Sequence, residues 1–406
     1  MKKIALLALI LPAVVLANGY DVPNVNPRDL AMTSAGTADQ GDAAAAFANP
    51  SALSKLEGVN LALAGSILNL TDKWSGTGAQ TGESSTTRSA PVPPVSLFAA
   101  YGFKLADHNA AVGLGLNLPA GGRVFWNEQW PGRNRIITVD RKIYAVYLTA
   151  GYEILPQLRF GGGLVYYYGT EYLKQGVAGF ADAYGELSAK GGAPSFDLSA
   201  QYGFPQFPLT LGVDFKYKAT MKLKGNGRFV VPEGVLPNNP DPPIDQGVSH
   251  HLTYPSVLNV GASYRITEPW VVDFTWTWND YSVYQTDRFV GDKGTTLEVP
   301  RHYRDGYTYR LGTAYAVTKN LELRAGVERD LTGLDRDFAS ASLPDSNTWA
   351  AGLGFGWGVI RDLSLETAFF YAWEDKVNVT GTQEFPGSYT TRVWVASLGL
   401  KWKLGL

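Results

Sequence analysis

The stretch Leu209-Thr210-Leu211-Gly212-Val213-Asp214-Phe215-Lys216-Tyr217-Lys218-Ala219-Thr220-Met221-Lys222-Leu223-Lys224 decides the fold. Every odd position is apolar, and the even positions hold five lysines or threonines at their C-terminal end. Only a strand of period two separates such sets onto opposite faces. One face suits hydrocarbon and the other water, so the expectation is that Leu209 through Leu223 face outward and Lys216, Lys218, Lys222 and Lys224 face a polar interior. A lysine at mid-membrane on the outer face would cost about 2–4 kcal/mol, which excludes the reverse assignment. The chain end repeats the pattern, with Trp394, Ala396, Leu398, Leu400 and Trp402 on one side and Ser397, Lys401 and Lys403 on the other.

Working outward, fourteen such segments are expected, at 59–70, 95–103, 109–118, 138–154, 158–174, 184–203, 209–229, 248–266, 270–289, 305–317, 321–331, 347–360, 363–379 and 389–404. Connections after even-numbered strands are tight, as at Ala106-Asp107 and Pro156-Gln157, whereas those after odd-numbered strands are long, as at 71–94 and 119–137. Short turns on one rim and long loops on the other mark an all-β, 14-stranded antiparallel transmembrane β-barrel, and an even count closes without a free edge. A soluble sandwich has no reason to sort its loops this way.

Lys2 and Lys3 precede an apolar run from Ile4, and Val15 and Ala17 provide a small-residue cleavage signal, so residues 1–17 read as a secretory signal peptide. The remaining 406 − 17 = 389 residues hold no run of the 18 or more apolar residues that a membrane helix needs. A mean hydropathy of −0.10 with 22 Tyr and 11 Trp suits a barrel with interfacial aromatic belts. With no cysteine there is neither a disulfide framework nor a thiolate site, and a net charge of −2 offers no footprint for nucleic acid. Four histidines, His108, His250, His251 and His302, sit near no nucleophile motif, so no enzyme, metal or cofactor is expected.

Residues 18–58 lack period two. Asn49 can cap and Pro50 can open a short helix after the alanine-rich Asp42–Phe47 run. The segment is expected to fill the lumen as a hatch, with residues 59–406 forming the barrel. The inward glycines of the twelfth strand, Gly352, Gly354 and Gly356, either leave free volume or admit close packing of this plug.

The run Asp42-Ala43-Ala44-Ala45-Ala46-Phe47-Ala48-Asn49-Pro50-Ser51-Ala52-Leu53 resembles the hatch signature of the FadL family of outer-membrane transporters for long-chain fatty acids and other hydrophobic compounds. Leu223-Lys224-Gly225-Asn226, Leu252-Thr253-Tyr254-Pro255, Arg304-Asp305-Gly306-Tyr307 and Leu343-Pro344-Asp345 are similar to family landmarks in the same order. The resemblance implies a plugged barrel in the outer membrane of a Gram-negative bacterium, bathed in lipid and lipopolysaccharide and acting as a monomer. It also implies capture of a hydrophobic ligand by extracellular loops and sideways release at a kink in the third strand. Long-chain fatty acids are the first substrate expected, monoaromatic or alkane hydrocarbons the alternative, and a general porin the rival.

On that footing the candidate lateral gate is Gly113, Gly115, Asn117, Pro119, Gly121 and Gly122, because proline removes a ladder donor and glycine weakens pairing; an ordinary strand end is the other reading. The candidate ligand-binding residues are Phe47, Asn49 and Pro50 of the hatch, then Phe125, Trp126 and Trp130 as an exposed greasy vestibule or as interfacial aromatics. Lys216, Lys218, Arg304 and Arg310 complete the set as cations for a carboxylate head group, unless they serve a polar wall network. The connection 175–183 is too short for the family's large outer loop, and in the fifth strand, where the family commonly carries a basic residue toward the pocket, this chain has Gly169-Thr170-Glu171, which favours a neutral or aromatic ligand.

Overall fold

The computed structural model describes residues 21–23, 26–89, 91–230, 244–294, 296–334, 339–342, 344–380 and 385–404. The expected signal peptide, the start of the hatch, Leu343 and most of the 230–247 connection lie outside them. Fourteen wall strands form one closed antiparallel sheet: β1 Gly58–Ser75, β2 Val95–Leu105, β3 His108–Phe125, β4 Thr138–Leu155, β5 Leu158–Gly176, β6 Tyr184–Gly203 and β7 in two segments, Leu209–Lys216 and Ala219–Val230. The wall continues with β8 in two segments, Ile244–Tyr254 and Val257–Thr267, then β9 Trp270–Asn279, β10 Gly306–Thr318, β11 Leu321–Leu331, β12 Thr348–Ile360, β13 Leu363–Glu374 and β14 Gly387–Leu404. β1 pairs with β14 from Val59↔Leu404 to Ser75↔Ser388, which shuts the ring.

Two expected strands end early. The ninth stops at Asn279, turns through Tyr281–Val283 and contributes a hairpin, Thr286–Gly291 with Thr296–Pro300, whose first strand pairs with the upper β8 segment. The thirteenth stops at Glu374, and Val377–Val379 continues alone on β14. At the opposite rim the turns are tight: Ala106 and Asp107 both adopt positive φ (48° and 65°), the two-residue geometry whose twist matches a hairpin.

The outer face is hydrocarbon-like. Leu114, Leu148, Leu164, Leu198, Leu311, Leu353 and Leu398 each expose more than half or close to half of their surface. In a molecule with no apolar solvent around it this belt would be an aggregation site; around a barrel it is the lipid contact. No helix among the described residues is long and apolar enough to cross a membrane, so the strands do the crossing.

The N-terminal segment fills the lumen. Its helices Pro27–Ala31 and Ala45–Ala48 and the 3₁₀ turn Pro50–Lys55 are largely buried, and Asn49 caps the last by accepting from Ser51 N at 3.2 Å. The inward glycines accommodate close packing: a Cβ on Gly161 would lie 2.2 Å from Ser51 N, and one on Gly352 would lie 2.5 Å from Leu30 O. Wall side chains hold the hatch backbone by hydrogen bonds, Thr275 Oγ1 donating to Ala35 O (2.6 Å) and Ser199 Oγ accepting from Ser51 N (2.9 Å).

The deciding stretch inverts halfway along. Between Asp197↔Lys216 and Lys190↔Lys224, eight residues of β7 (224 − 216) face seven of β6 (197 − 190), so Tyr217-Lys218 is a bulge, and Pro255-Ser256 of β8 is left unpaired opposite it. A one-residue slip exchanges the faces. Beyond it Ala219, Met221 and Leu223 are buried inside, while Thr220, Lys222 and Lys224 are exposed outside. The expectation that Lys222 and Lys224 face the lumen and Met221 and Leu223 face lipid is therefore wrong. Polar residues outside this upper part, His251 among them, place it above the membrane, and its apolar interior is a collar closed by loops.

Candidate functional site

Between the hatch and the collar lies a cavity of about 220 Å³. Leu30, Thr33, Thr37 and Phe47 of the hatch form its floor, and Tyr254, Asn279 and Phe370 part of its walls. Phe47 also packs edge-on to Tyr147 at 5.4 Å, and Lys216 Nζ stands 5.0 Å from its ring centroid. One flank of the cavity is the break in β3. β3 follows β2 only as far as Leu97↔Leu116, and against β4 its register jumps between Asn117↔Ala145 and Ala120↔Ile143, three residues against two. Past that bulge the β2-side edge of β3 is met by the hatch instead: Asp21 bridges Ala120, and Val22 N donates to Pro119 O at 2.9 Å.

The cavity's inner cations are already engaged. Lys216 Nζ lies 2.5 Å from Asp214 and 3.3 Å from Asp197, Arg310 Nε donates to Glu328 at 2.7 Å, and Arg141 is paired with Glu171. Uncovered polar atoms are of another kind: Asn279, 1% exposed, has neither amide atom hydrogen-bonded, and Glu374 Oε2 has no partner among the described residues. The interior presents apolar surface and neutral or acidic polar atoms, not open cations.

Of the residues singled out from the sequence, Phe47, Lys216, Arg310, Pro119, Gly121 and Gly122 line this one cavity. Asn49 and Pro50 do not; Pro50 packs on Gly161 of β5, and Asn49 Nδ2 donates to Val213 O of β7 at 3.4 Å and, within the hatch, to Thr37 O at 2.9 Å. Gly113 and Gly115 receive the hatch and neighbouring rings, a Cβ there falling 2.9 Å from Leu53 and 2.8 Å from Phe98. Asn117 is buried at the start of the bulge. Lys218 is half-buried in the β7 bulge, and Arg304 is exposed in a loop where its N–H donates to Gly333 O.

The exposed vestibule expected from Trp126 and Trp130 is not there. Their rings stack at 4.4 Å, Trp130 meets Phe385 at 5.3 Å and Trp74 at 6.0 Å, and both indoles are buried and donate to backbone carbonyls. Burying so much aromatic surface outweighs exposing it to capture ligand, and the pair seals the extracellular cap. Phe125 is half-buried below them, with the Arg88 and Arg123 guanidiniums 5.3 and 5.5 Å from its ring.

The sequence reading missed an ion network in the collar. His250, fully buried on the upper β8 segment, has Nδ1 3.0 Å from Glu171 and Nε2 3.0 Å from Asp287. Two carboxylates facing the two ring nitrogens need both N–H groups, hence an imidazolium. Burial works against that charge, but Glu171 and Asp287 more than offset it and raise the imidazole to about 9. Arg301, the His250 ring and Tyr284 in turn hold the Asp287 carboxyl, which lies well below the ordinary range. The run Ser249-His250-His251-Leu252 carries no signal for this, because the partners come from β5 and from the hairpin after β9.

A closed outer-membrane-type barrel, stoppered by its own N-terminal segment and notched in one strand beside an apolar cavity, is the architecture of a transport protein rather than of an open pore. The model of the family described as outer membrane protein transport protein (OMPP1/FadL/TodX) matches residues 8–403, and the chain belongs to that family, in the outer membrane of a Gram-negative cell. A long-chain fatty acid transport protein of Escherichia coli O6:H1 is 27% identical over 136 residues, 33% of this chain and 30% of that one. A 47 kDa outer membrane protein of Pasteurella multocida is 25% identical over 121 residues, covering 29% and 28%. The matched stretch thus spans under a third of each of these curated relatives. Among solved structures, a Pseudomonas aeruginosa FadL homologue superposes with a TM-score of 0.84 at 20% identity (95% of this chain, 99% of that one), and the P. putida toluene transporter TodX with 0.76 at 15% (95% and 100%). At those identities the likeness is one of fold.

Proposed function

We propose that this chain is a passive transporter, without catalytic activity, that takes up long-chain fatty acids or similar hydrophobic molecules, holds them in the cavity above the hatch and releases them sideways through the break in β3. The observation that carries the reading is that the cavity is flanked by Pro119, Gly121 and Gly122, where β3 runs on past its last pairing with β2. Transferring about ten methylenes into the periplasm would cost roughly 8 kcal/mol at 0.8 each, and a side exit into the bilayer avoids that cost. The names of the relatives, a long-chain fatty acid transport protein and a toluene transporter, agree with a hydrophobic cargo.

Monoaromatic or alkane hydrocarbons are the second reading, favoured by the fact that Lys216, Arg310 and Arg141 already carry carboxylate partners, which leaves the inner cavity without an open cation. Uptake of radiolabelled oleate and of toluene by cells with and without the protein separates the two. Loss of oleate uptake supports the first; retained oleate with lost toluene supports the second; loss of neither removes the reading altogether. A general porin would give steady large single-channel conductance, which a hatch packed to van der Waals contact does not allow.

A further inference from the structure

The cavity continues past the inner face of the wall. Its lining includes Phe47 and Leu70 on the lumenal side, and also Arg123, Asp140 and Lys142. Val124 pairs with Val139, and both are fully buried inside. Side chains alternate along a strand, so Arg123, paired with Asp140, and Lys142 project from the outer face, above the bulge. Directly below, that face of β3 and β4 is apolar, with Val112, Leu114, Leu116, Val146 and Leu148 exposed. The triad therefore stands where the hydrocarbon ends.

Its charges do not cancel. Asp140 Oδ2 accepts from Arg123 Nη2 at 2.7 Å and Nε at 3.2 Å, while Lys142 Nζ lies 2.7 Å from Oδ1. One carboxylate between two cations leaves a net positive charge, and the exposed Arg88 beside Phe125 adds another. The Arg123 and Lys142 side chains are 26% and 24% exposed, so both ends remain open to a ligand. Across the lumen the cavity-lining cation Arg310 is paired with Glu328 at 2.7 Å.

We propose that Arg123 and Lys142 form an anion-receiving site at the outer lip of the β3 opening, which takes the carboxylate of a departing fatty acid while its chain enters the bilayer. The proposal rests on the reading of the cavity as a sideways route for hydrophobic molecules. An alkyl chain gains by entering hydrocarbon, but its carboxylate does not follow without a partner. Charge-assisted hydrogen bonds from a guanidinium and an ammonium at head-group height supply that partner. A lipopolysaccharide phosphate shares the anionic chemistry and is the competing occupant.

The test compares oleate with oleyl alcohol, which has the same chain and no charge, in cells carrying the wild type, R123Q/K142Q or D140N. Oleate uptake is expected to fall about tenfold in R123Q/K142Q, as for loss of charge-assisted hydrogen bonds, with oleyl alcohol within about twofold of wild type. D140N, which keeps both cations and uncovers them, is expected to keep or raise oleate uptake. Equal loss of both cargoes in the double variant, or loss of neither, overturns the proposal. Reconstitution into phosphatidylcholine vesicles free of lipopolysaccharide distinguishes the anion: persistence of the oleate-specific defect supports the carboxylate, and its disappearance assigns the site to lipid phosphate and overturns the proposal. Wild type that raises uptake of neither cargo would instead sink the transporter reading.

Discussion

β3 and β7 are both broken by a bulge at the height where membrane gives way to water, and both exchange their faces there, yet only the β7 bulge keeps a wall strand on each side. The β7 bulge at Tyr217-Lys218 is covered on both sides: Ser195 of β6 donates to Tyr217 O, and Ser256 of β8 accepts from Lys218 N. The β3 bulge has a wall strand only in β4, and the hatch at Asp21–Val22 covers its other edge, because β2 begins at Val95 after Pro91, Pro93 and Pro94, which have no N–H to extend the ladder. A bulge changes sidedness; a missing wall neighbour leaves an edge that the hatch covers. The same comparison explains why the lower wall is greasy outside and the collar greasy inside, since each face answers to the medium it touches.

The largest effect should come from challenging the inversion itself. Leu223→Lys buries an unpaired charge in the collar at a position 0% exposed, and should destabilise by about 3–5 kcal/mol, read as a lower urea midpoint in detergent micelles. If the variant unfolds like the wild type, Leu223 faces water and the inversion is wrong.

Next comes the clamp that ties the collar together. With His250 at about 9 when folded against 6.5 when unfolded, its contribution is fully present below pH 6.5 and lost as pH rises through 9. At order of magnitude this is about 3 kcal/mol, from 1.36 per unit of difference. Protease resistance of the extracellular loops should therefore fall between pH 7 and 9.5, and His250→Gln should flatten that profile. A clamp that is indifferent to pH would show that the imidazole is not charged.

A smaller change is expected from repairing the two breaks. Replacing Pro93 and Pro94 by Thr and Val lets β2 extend beside β3 and should slow uptake about tenfold, whereas Pro255→Val at the already closed β7–β8 break should change flux less than twofold. Equal effects would mean that the difference in neighbours is irrelevant to transport. The smallest change is at the collar surface: Lys222→Leu should alter stability by no more than about 0.5 kcal/mol, as for an exposed site.

The wall was legible because alternation is a strong signal wherever lipid lies on one side, and each of the fourteen expected segments overlaps an observed wall strand, the ninth and thirteenth overrunning theirs. The inversion in β7 was hidden for a physical reason. The extra residue at 217–218 shifts parity at the same point where the outside turns from lipid to water and the inside from polar to apolar, so Leu209 through Leu223 read as one unbroken pattern. Phe47, Lys216 and Arg310 were expected to meet a ligand and Pro119, Gly121 and Gly122 to weaken β3, from hatch signature, parity and backbone chemistry, and all six line the cavity. Trp126 and Trp130 were misplaced because a loop's aromatics reveal nothing of Phe385 or Trp74, far away in sequence, that cover them. Arg123 was missed because the face it occupies depends on the bulge at Leu118-Pro119, and with it the pairing that brings it to Asp140 and Lys142.

The sideways route is tested most directly by closing it with a covalent bond. The chain has no native cysteine, so Asp21→Cys with Ala120→Cys creates a single staple between the hatch and the free edge of β3, where the two residues already bridge. Oleate uptake in oxidised cells should drop to the level of cells lacking the protein and return on adding reductant. Undiminished uptake through the oxidised, fully cross-linked barrel would show that cargo leaves by another path.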